Sequence, residues 1–186
     1  MSVRIQNWGR SLSFDVGQVL YPSSEEEILT ILNNATYNHK NVRTIGSGHS
    51  WTGLITTNDV LVSLDHWQGV TSIDQDEKWV EVKSGTKLLK LGNDLWSLGL
   101  SMENLGDIDV QSIAGALNTG THGTGSNFGT LATQIHSITI ALPTGELVEV
   151  NETENNDLFK AAQISLGALG IITRYKLKVV KAFRLE

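Results

Sequence analysis

The chain has 186 residues, 40% of them hydrophobic, with only 2 prolines and no low-complexity stretch, which fits one globular domain or two small lobes sharing a ligand. It has no cysteine, so disulfides, thiolate metal sites and cysteine-linked cofactors are excluded, and a reducing, cytoplasmic setting is expected. The formal charge of -6, without a basic cluster, argues against nucleic acid.

The opening MSVRIQNWGR lacks the apolar core of a signal peptide. No window approaches the roughly 18 apolar residues of a membrane span. FDVGQVLYP reads as a strand ending in proline. In SSEEEILTILNNA, Ser24 and Glu27 form a capping box, and Ile28, Ile31, Leu32 and Ala35 recur at helical spacing. VRTIG is a short buried strand. DVLVSLDHW and VTSIDQDEKWVEVKSG read as strands, with a turn over Asp74 to Lys78, completing a β-α-β-β lobe. TKLLKLGNDLWSLGL places Leu88, Leu91, Leu95 and Leu98 on one helical face, with Gly99 as its C-terminal stop.

Composition then shifts. Ser101 to Gly129 is rich in Gly, Ser, Thr and Asn and poor in charge, a loop long enough to be either mobile or shaped around something. IHSITIALPTGELVEVN is two strands about a Pro-Thr-Gly turn, NNDLFKAAQISLGALG a short helix, and IITRYKLKVV a last alternating strand. There is no internal repeat.

Two glycine-rich turns each carry a histidine: GSGHSW, with His49, and GTHGTG, with His122. Glycine turns of this kind present backbone N–H groups outward and form anion-binding nests. GSGHSW has Trp51 where the Rossmann pattern needs Gly or Ala, and no G-x-x-x-x-G-K-[ST] occurs. Gly115, Ala116, Gly120, Gly123 and Gly125 leave little side-chain bulk, so a flat ligand can lie against backbone. The hydroxyls of Ser47, Ser50, Ser112, Thr119, Thr121 and Thr124 can donate to a pyrophosphate, at about 1.5–3 kcal/mol for each charged acceptor. Phosphate binding without lysine or arginine is the expectation.

Taken together and in order, RTIGSGHSW, LSMENLGDIDVQSIAGALNTGTHGTG and LGALGIITRYKLKV resemble the PCMH-type FAD-binding domain of the vanillyl-alcohol-oxidase superfamily. Within it, the likeness is to the aldonolactone and alditol oxidases, of the gulonolactone, arabinonolactone and xylitol type. The resemblance implies an α+β fold of two lobes, about 13–75 and 76–186, distinct from Rossmann, with FAD between them. It implies that Gly46, Ser47, Gly48, His49 and Ser50 wrap the pyrophosphate. Gly106, Asp107, Gln111, Ser112, Gly115, Ala116, Thr119, Gly120, Thr121, His122, Gly123, Thr124 and Gly125 would line the pyrophosphate, ribityl chain and flavin ring, with Gly170 and Ile171 at the adenine or ribose. It further implies that a ring nitrogen of His49 is bonded to the flavin 8α-carbon.

The activity implied is oxidation of a carbinol of a sugar lactone or alditol, with oxygen as acceptor. The family's substrate-capping domain is expected to be missing after KAFRLE, so that substrate would bind only with that domain supplied. The alternatives are a stand-alone flavin subunit working with a partner chain and a non-catalytic interaction domain. The residues identify no catalytic base.

His122 reads equally as a flavin contact or a structural hydrogen bond. His66 and His136 read as structural or solvated, and His39 as a helix-ending cation suited to the dipole. No histidine pair has metal spacing, so no metal is assigned. Asp107 and Asp109 shape the loop by capping a helix beginning near Ser112, in preference to forming a paired-carboxylate site. Trp51 is either a cleft wall or core.

Overall fold

The computed structural model describes residues 2–184 apart from Gln75 and Glu77, so the turn expected over 74–78 lies partly outside the described residues. The chain opens with an antiparallel hairpin of β1 (Val3–Gln6) and β2 (Ser13–Val16). The single strand expected in FDVGQVLYP is therefore two. It breaks at Gly17, whose N–H turns to the Asn58 carbonyl at 2.9 Å and sends β3 (Gln18–Leu20) into a different sheet.

That sheet is parallel, in the order β3–β5–β4, with β4 spanning Val42–Ile45 and β5 spanning Val60–Ser63. β5 is buried along its whole length, as a central strand covered on both faces should be. The crossover between β3 and β4 is α1 (Glu25–Tyr37). Its cap, Ser24 Oγ, accepts the Glu27 N–H at 3.2 Å. The Glu27 carboxylate reaches one residue further back than a capping box requires. It accepts from Ser23 N at 2.6 Å and Ser23 Oγ at 3.1 Å, and these bonds hold its carboxyl below the usual range.

The larger sheet is antiparallel, with strands β6 (Val70–Asp74), β7 (Trp79–Lys83), β9 (Ile135–Ala141), β10 (Leu147–Asn151) and β11 (Ile171–Lys178) in the order β10–β9–β11–β7–β6. β6, expected in the first lobe, pairs instead with its neighbour in sequence, β7, and becomes an edge of this sheet. Against it pack α2 (Leu88–Ser97), α3 (Ile113–Asn118) and α4 (Asn156–Gln163). Leu88, Leu91 and Leu95 are buried as their spacing predicts, while Leu98, past the helix end, is 40% exposed. Gly99 follows with φ +71, the left-handed stop that glycine allows. A short pair, β8 (Leu100–Ser101) with β12 (Val180–Lys181), ties the end of α2 to the chain's last strand.

The two lobes are joined by packing and by charge. Ile28, Leu32, Val60, Val62 and Leu64 share one core with Ala141 and Ile171 of the larger sheet. Glu25, in the first turn of α1, accepts from Thr173 Oγ1 at 2.5 Å and from Arg174 Nε at 2.9 Å. Arg174 Nη1 also reaches Glu81 at 3.3 Å. This network fixes the lobes' relative placement, and with it the cleft they enclose.

Candidate functional site

A cleft of about 460 Å³ lies between the lobes. Its first wall is the loop after β4, Gly46 to Ser50, with Leu64 and Asp65 beyond the end of β5. Both stand at the carboxyl ends of parallel strands, where strand divergence leaves a crevice in open α/β sheets. The second wall comes from the larger lobe: Ser84 and Gly85 after β7, the face of α3 that carries Ser112, Gly115 and Thr119, and the approach to β11 at Leu166, Gly167 and Gly170.

Two of the loop's carbonyls are bonded to the chain's first hairpin. Gly48 O accepts from Trp8 N at 2.8 Å, and Ser50 O accepts from Asn7 Nδ2 at 3.0 Å. Ser47 Oγ donates to Val110 O at 2.5 Å. The N–H groups of Ser47, Gly48, His49 and Ser50 donate to no acceptor among the described residues. Gly48, at φ +70, supplies the left-handed step that turns successive amides to one side. Gly46 must lack a Cβ because that atom would run into Ser112 Oγ, the N-cap of α3. Loop and helix are thus pressed together across the cleft.

Of the residues the sequence nominates, Gly46, Ser47, Gly48, His49, Ser50, Gln111, Ser112, Gly115, Thr119, Gly170 and Ile171 all line this cleft. Gly106, Asp107, Ala116, Gly120, Thr121, His122, Gly123, Thr124 and Gly125 do not. Ala116 is fully buried in the core beneath α3. Gly123 is small for an internal reason: a Cβ there would strike Leu105 O and Asn104. His122 is exposed, its Nδ1 2.9 Å from Gly123 O. Trp51 is 66% exposed and lines the cleft edge, packed over Gly9, so it is a wall and not core.

The amides at the start of α3 are already used. Ile113 N donates to Thr86 O at 2.8 Å, Ala114 N to Ser84 O at 3.2 Å and Gly115 N to Ser112 Oγ at 3.3 Å. Ser112 therefore caps its own helix. The Asp109 carbonyl instead accepts from Leu89 N at 2.8 Å, at the start of α2. Two buried polar atoms on the cleft wall have no described partner, Ser84 Oγ and Gln111 Oε1. The unpartnered amides and the Ser84 hydroxyl are donors that fit a diphosphate, and Gln111 Oε1, an acceptor, with the apolar wall fits a flat ring system that carries an N–H.

Four contributors were not legible as site residues in the sequence. Asn7 is 2% exposed, and its side chain also bonds Ser11 Oγ at 3.0 Å and the Leu12 N–H at 2.9 Å. Trp8 stands ring to ring with His49 at 5.1 Å. The signal was the NWGR turn, a tryptophan and glycine beside an Asn. Lys87 is the third: its Nζ donates to Ser47 Oγ at 3.1 Å and pairs with Asp65 at 2.8 Å. A lysine therefore stands against the loop, outside the lining of the cleft, which holds no lysine or arginine among the described residues. Asn118 buttresses the far wall. Its Nδ2 donates to the Tyr175 hydroxyl at 2.7 Å, and its Oδ1 accepts from Ser165 Oγ at 2.6 Å. Burial pushes the Tyr175 phenol well above its ordinary pKa, so it stays neutral.

Fold and cleft define a two-lobed α+β dinucleotide-binding domain that is not Rossmann. Comparison with known proteins agrees. The family described as "FAD binding domain" matches residues 16–151, and the chain belongs to it, within the PCMH-type domains of the vanillyl-alcohol-oxidase superfamily. The chain is 33% identical over its full length to the L-gulonolactone oxidase of Scyliorhinus torazame and 37% identical to the L-gulono-1,4-lactone dehydrogenase of Mycobacterium tuberculosis. It spans 42% and 43% of those proteins' lengths. Among solved structures, a cholesterol oxidase from B. sterolicum superposes with TM-score 0.87 at 20% identity, over 98% of this chain and 38% of that one, a likeness of fold. Among the described residues, no helix is long and apolar enough to cross a membrane and no cluster of three His, Cys, Asp or Glu could hold a metal.

Proposed function

We propose that the interlobe cleft holds FAD, with the pyrophosphate on the amides of Ser47 to Ser50 and the adenine or ribose beside Gly170 and Ile171. The observation that supports this reading is the loop's asymmetry: two of its carbonyls, Gly48 O and Ser50 O, are bonded to Trp8 and Asn7, while the N–H groups of Ser47 to Ser50, on a loop that lines the cleft, donate to no acceptor among the described residues. Ser112, Gly115 and Thr119 form the opposite wall, where Gly115 lets a ring lie close to backbone. His49 is the residue we assign as the covalent attachment point, through a ring nitrogen to the 8α-carbon. The protein belongs on this reading to the oxidoreductases acting on a carbinol of a sugar lactone or alditol, the class indicated by the names of the gulonolactone relatives. Bound there, the flavin would supply two-electron chemistry, taking hydride from the carbinol carbon and passing electrons to oxygen or another acceptor. The chain's own contribution is to fix the cofactor's diphosphate and aim one face of its ring. A cytoplasmic location is part of the same proposal, supported by the cysteine-free sequence.

Titration of the flavin-free chain with FAD, FMN and NAD tests the assignment. FAD alone should bind tightly, with quenched flavin fluorescence. After reconstitution under air, denatured protein should retain the mass of FAD on the peptide containing His49, and His49→Ala should lose that adduct while keeping reversible binding. Binding of FMN or a nicotinamide in preference to FAD would refute the cofactor assignment.

A further inference from the structure

We propose that Lys87 masks the Asp65 carboxylate so that a diphosphate can enter the cleft, making Lys87 a positioning residue for cofactor binding; this rests on the assignment of the loop as the diphosphate site. The cleft wall contains only two titratable side chains among the described residues, His49 and Asp65. Asp65 is therefore the one carboxylate that a diphosphate must pass or face. In an acidic chain, with a formal charge of -6, that carboxylate would oppose the ligand locally as the whole surface does globally.

Lys87 answers this without lining the cleft itself. Its ammonium bridges Asp65 Oδ1 at 2.8 Å and Ser47 Oγ at 3.1 Å, from behind the loop. Ser47 gives its single hydroxyl proton to Val110 O, so toward Lys87 it acts as acceptor. One cation thus neutralises the wall carboxylate and fastens the first residue of the amide nest. Its stem is held in place, because Lys87 pairs through its backbone with Ser112 and its carbonyl accepts from Leu91 N at 2.9 Å. The side chains are 28% and 44% exposed for Lys87 and Asp65, so the masking is screened by solvent but not abolished.

Masking and mere tethering of Ser47 make different predictions, and FAD affinity measured by fluorescence quenching separates them. At low ionic strength Lys87→Met should weaken FAD binding about fivefold, and Lys87→Arg should keep it within about twofold. Asp65→Asn should not weaken binding, and adding it to Lys87→Met should restore affinity to within about twofold of wild type. The deficit of Lys87→Met should shrink as salt is raised, because it comes from a repulsion that salt screens. ADP, which carries the diphosphate without the flavin, should show the same order. The proposal is overturned if Lys87→Met binds like wild type, or if the double variant remains as weak as Lys87→Met with a deficit indifferent to salt. Should Lys87→Met not fold, Asp65→Asn decides alone: weaker FAD binding would make Asp65 a ligand contact and overturn the masking. Wild-type chain that binds neither FAD nor ADP overturns the diphosphate assignment itself, and the masking with it, before any variant is compared.

Discussion

Trp8 and His49 meet ring to ring, centroids 5.1 Å apart and planes tilted by 46°, although 41 positions separate them in the chain. The contact is held from below by Trp8 N donating to Gly48 O and by Asn7 Nδ2 donating to Ser50 O, one bond on either side of the histidine. Backbone tethers fix where His49 leaves the loop, and the indole limits which way its ring can turn. Trp8→Ala should therefore slow formation of the FAD adduct on His49 while leaving the thermal midpoint nearly unchanged, since the indole is 68% exposed. Mass spectrometry over a reconstitution time course reads the first effect and calorimetry the second. Equal adduct rates in the two proteins would mean that the loop alone orients the imidazole.

Asn7 carries a different expectation because it is buried and its amide is fully used. Asn7→Ala leaves Ser50 O and the Leu12 N–H without their partners and should cost about 1–3 kcal/mol. Urea denaturation of the apo chain measures this directly. FAD should stabilise the variant less than wild type if the loop it frees is the proposed diphosphate site.

Gly46 and Ser112 press together from opposite walls, and a Cβ on Gly46 would occupy the place of Ser112 Oγ. Gly46→Ala should destabilise by about 1–3 kcal/mol through overpacking. Ser112→Ala alone should cost about 1 kcal/mol, the worth of a lost N-cap. Combined, the two should cost clearly less than their separate effects added, because the second removes the atom the first collides with. Strict additivity in the double-mutant cycle would deny the contact.

What the sequence made legible was what is local. The capped helix at Ser24, the leucine face of α2, the Pro-Thr-Gly hairpin and the turn at GSGHSW each declare themselves within a dozen residues. Long-range pairings were not legible: that β6 joins the larger sheet, that NWGR holds the His49 loop, and that Lys87 stands behind Ser47 depend on which segments meet. The second glycine turn shows the same limit. Its composition points to a flavin floor, but glycine can be required by the chain's own backbone as readily as by a ligand. Gly123 faces Leu105 O and Asn104, so Gly123→Val should fail first in stability and only then in FAD affinity. Gly120→Val should be strained by its φ of +67 in either case. Loss of affinity at full stability in Gly123→Val would return that loop to the flavin.

Acid sensitivity should show in the larger sheet. Glu149 accepts from Lys176 Nζ at 2.7 Å and from Ser137 Oγ at 2.9 Å, and the bond to Lys176 above all holds its carboxyl below the usual range. A carboxyl with a lowered folded-state pKa stabilises the fold above its unfolded value, near 4.5, and loses that contribution as pH falls through the folded value. Glu149→Gln should therefore be less stable than wild type at pH 7, with the gap closing below about pH 4. Chemical denaturation across pH 3–7 checks the sign, and a gap that widens on acidification contradicts it.

Loaded with FAD, the 186-residue chain should still not oxidise sugar lactones or alditols at an enzyme-like rate. Such a reaction needs a base for the carbinol proton, and needs the carbinol carbon held against the ring, an alignment worth about 7–11 kcal/mol of barrier. Among the described residues the cleft offers two titratable side chains. Asp65 is paired with Lys87 at 2.8 Å, and His49 is the residue assigned to attachment, so neither is free to take that proton. The exposed apolar side chains that line the cleft edge, Trp51 at 66% and Leu54 at 45%, offer a polyhydroxylated substrate one indole N–H between them. An open rim also keeps the site wet, which weakens any electrostatic help to charge developing in the transition state. Dithionite, which needs no binding pocket, should bleach the bound flavin promptly, whereas gulonolactone, arabinonolactone and xylitol should reduce it only at a slow, non-saturating background. Stopped-flow absorbance under anaerobic conditions distinguishes the two behaviours. Saturable reduction at about one per second or faster by any of the three would show that these residues assemble a substrate site of their own, with a base on the cleft edge.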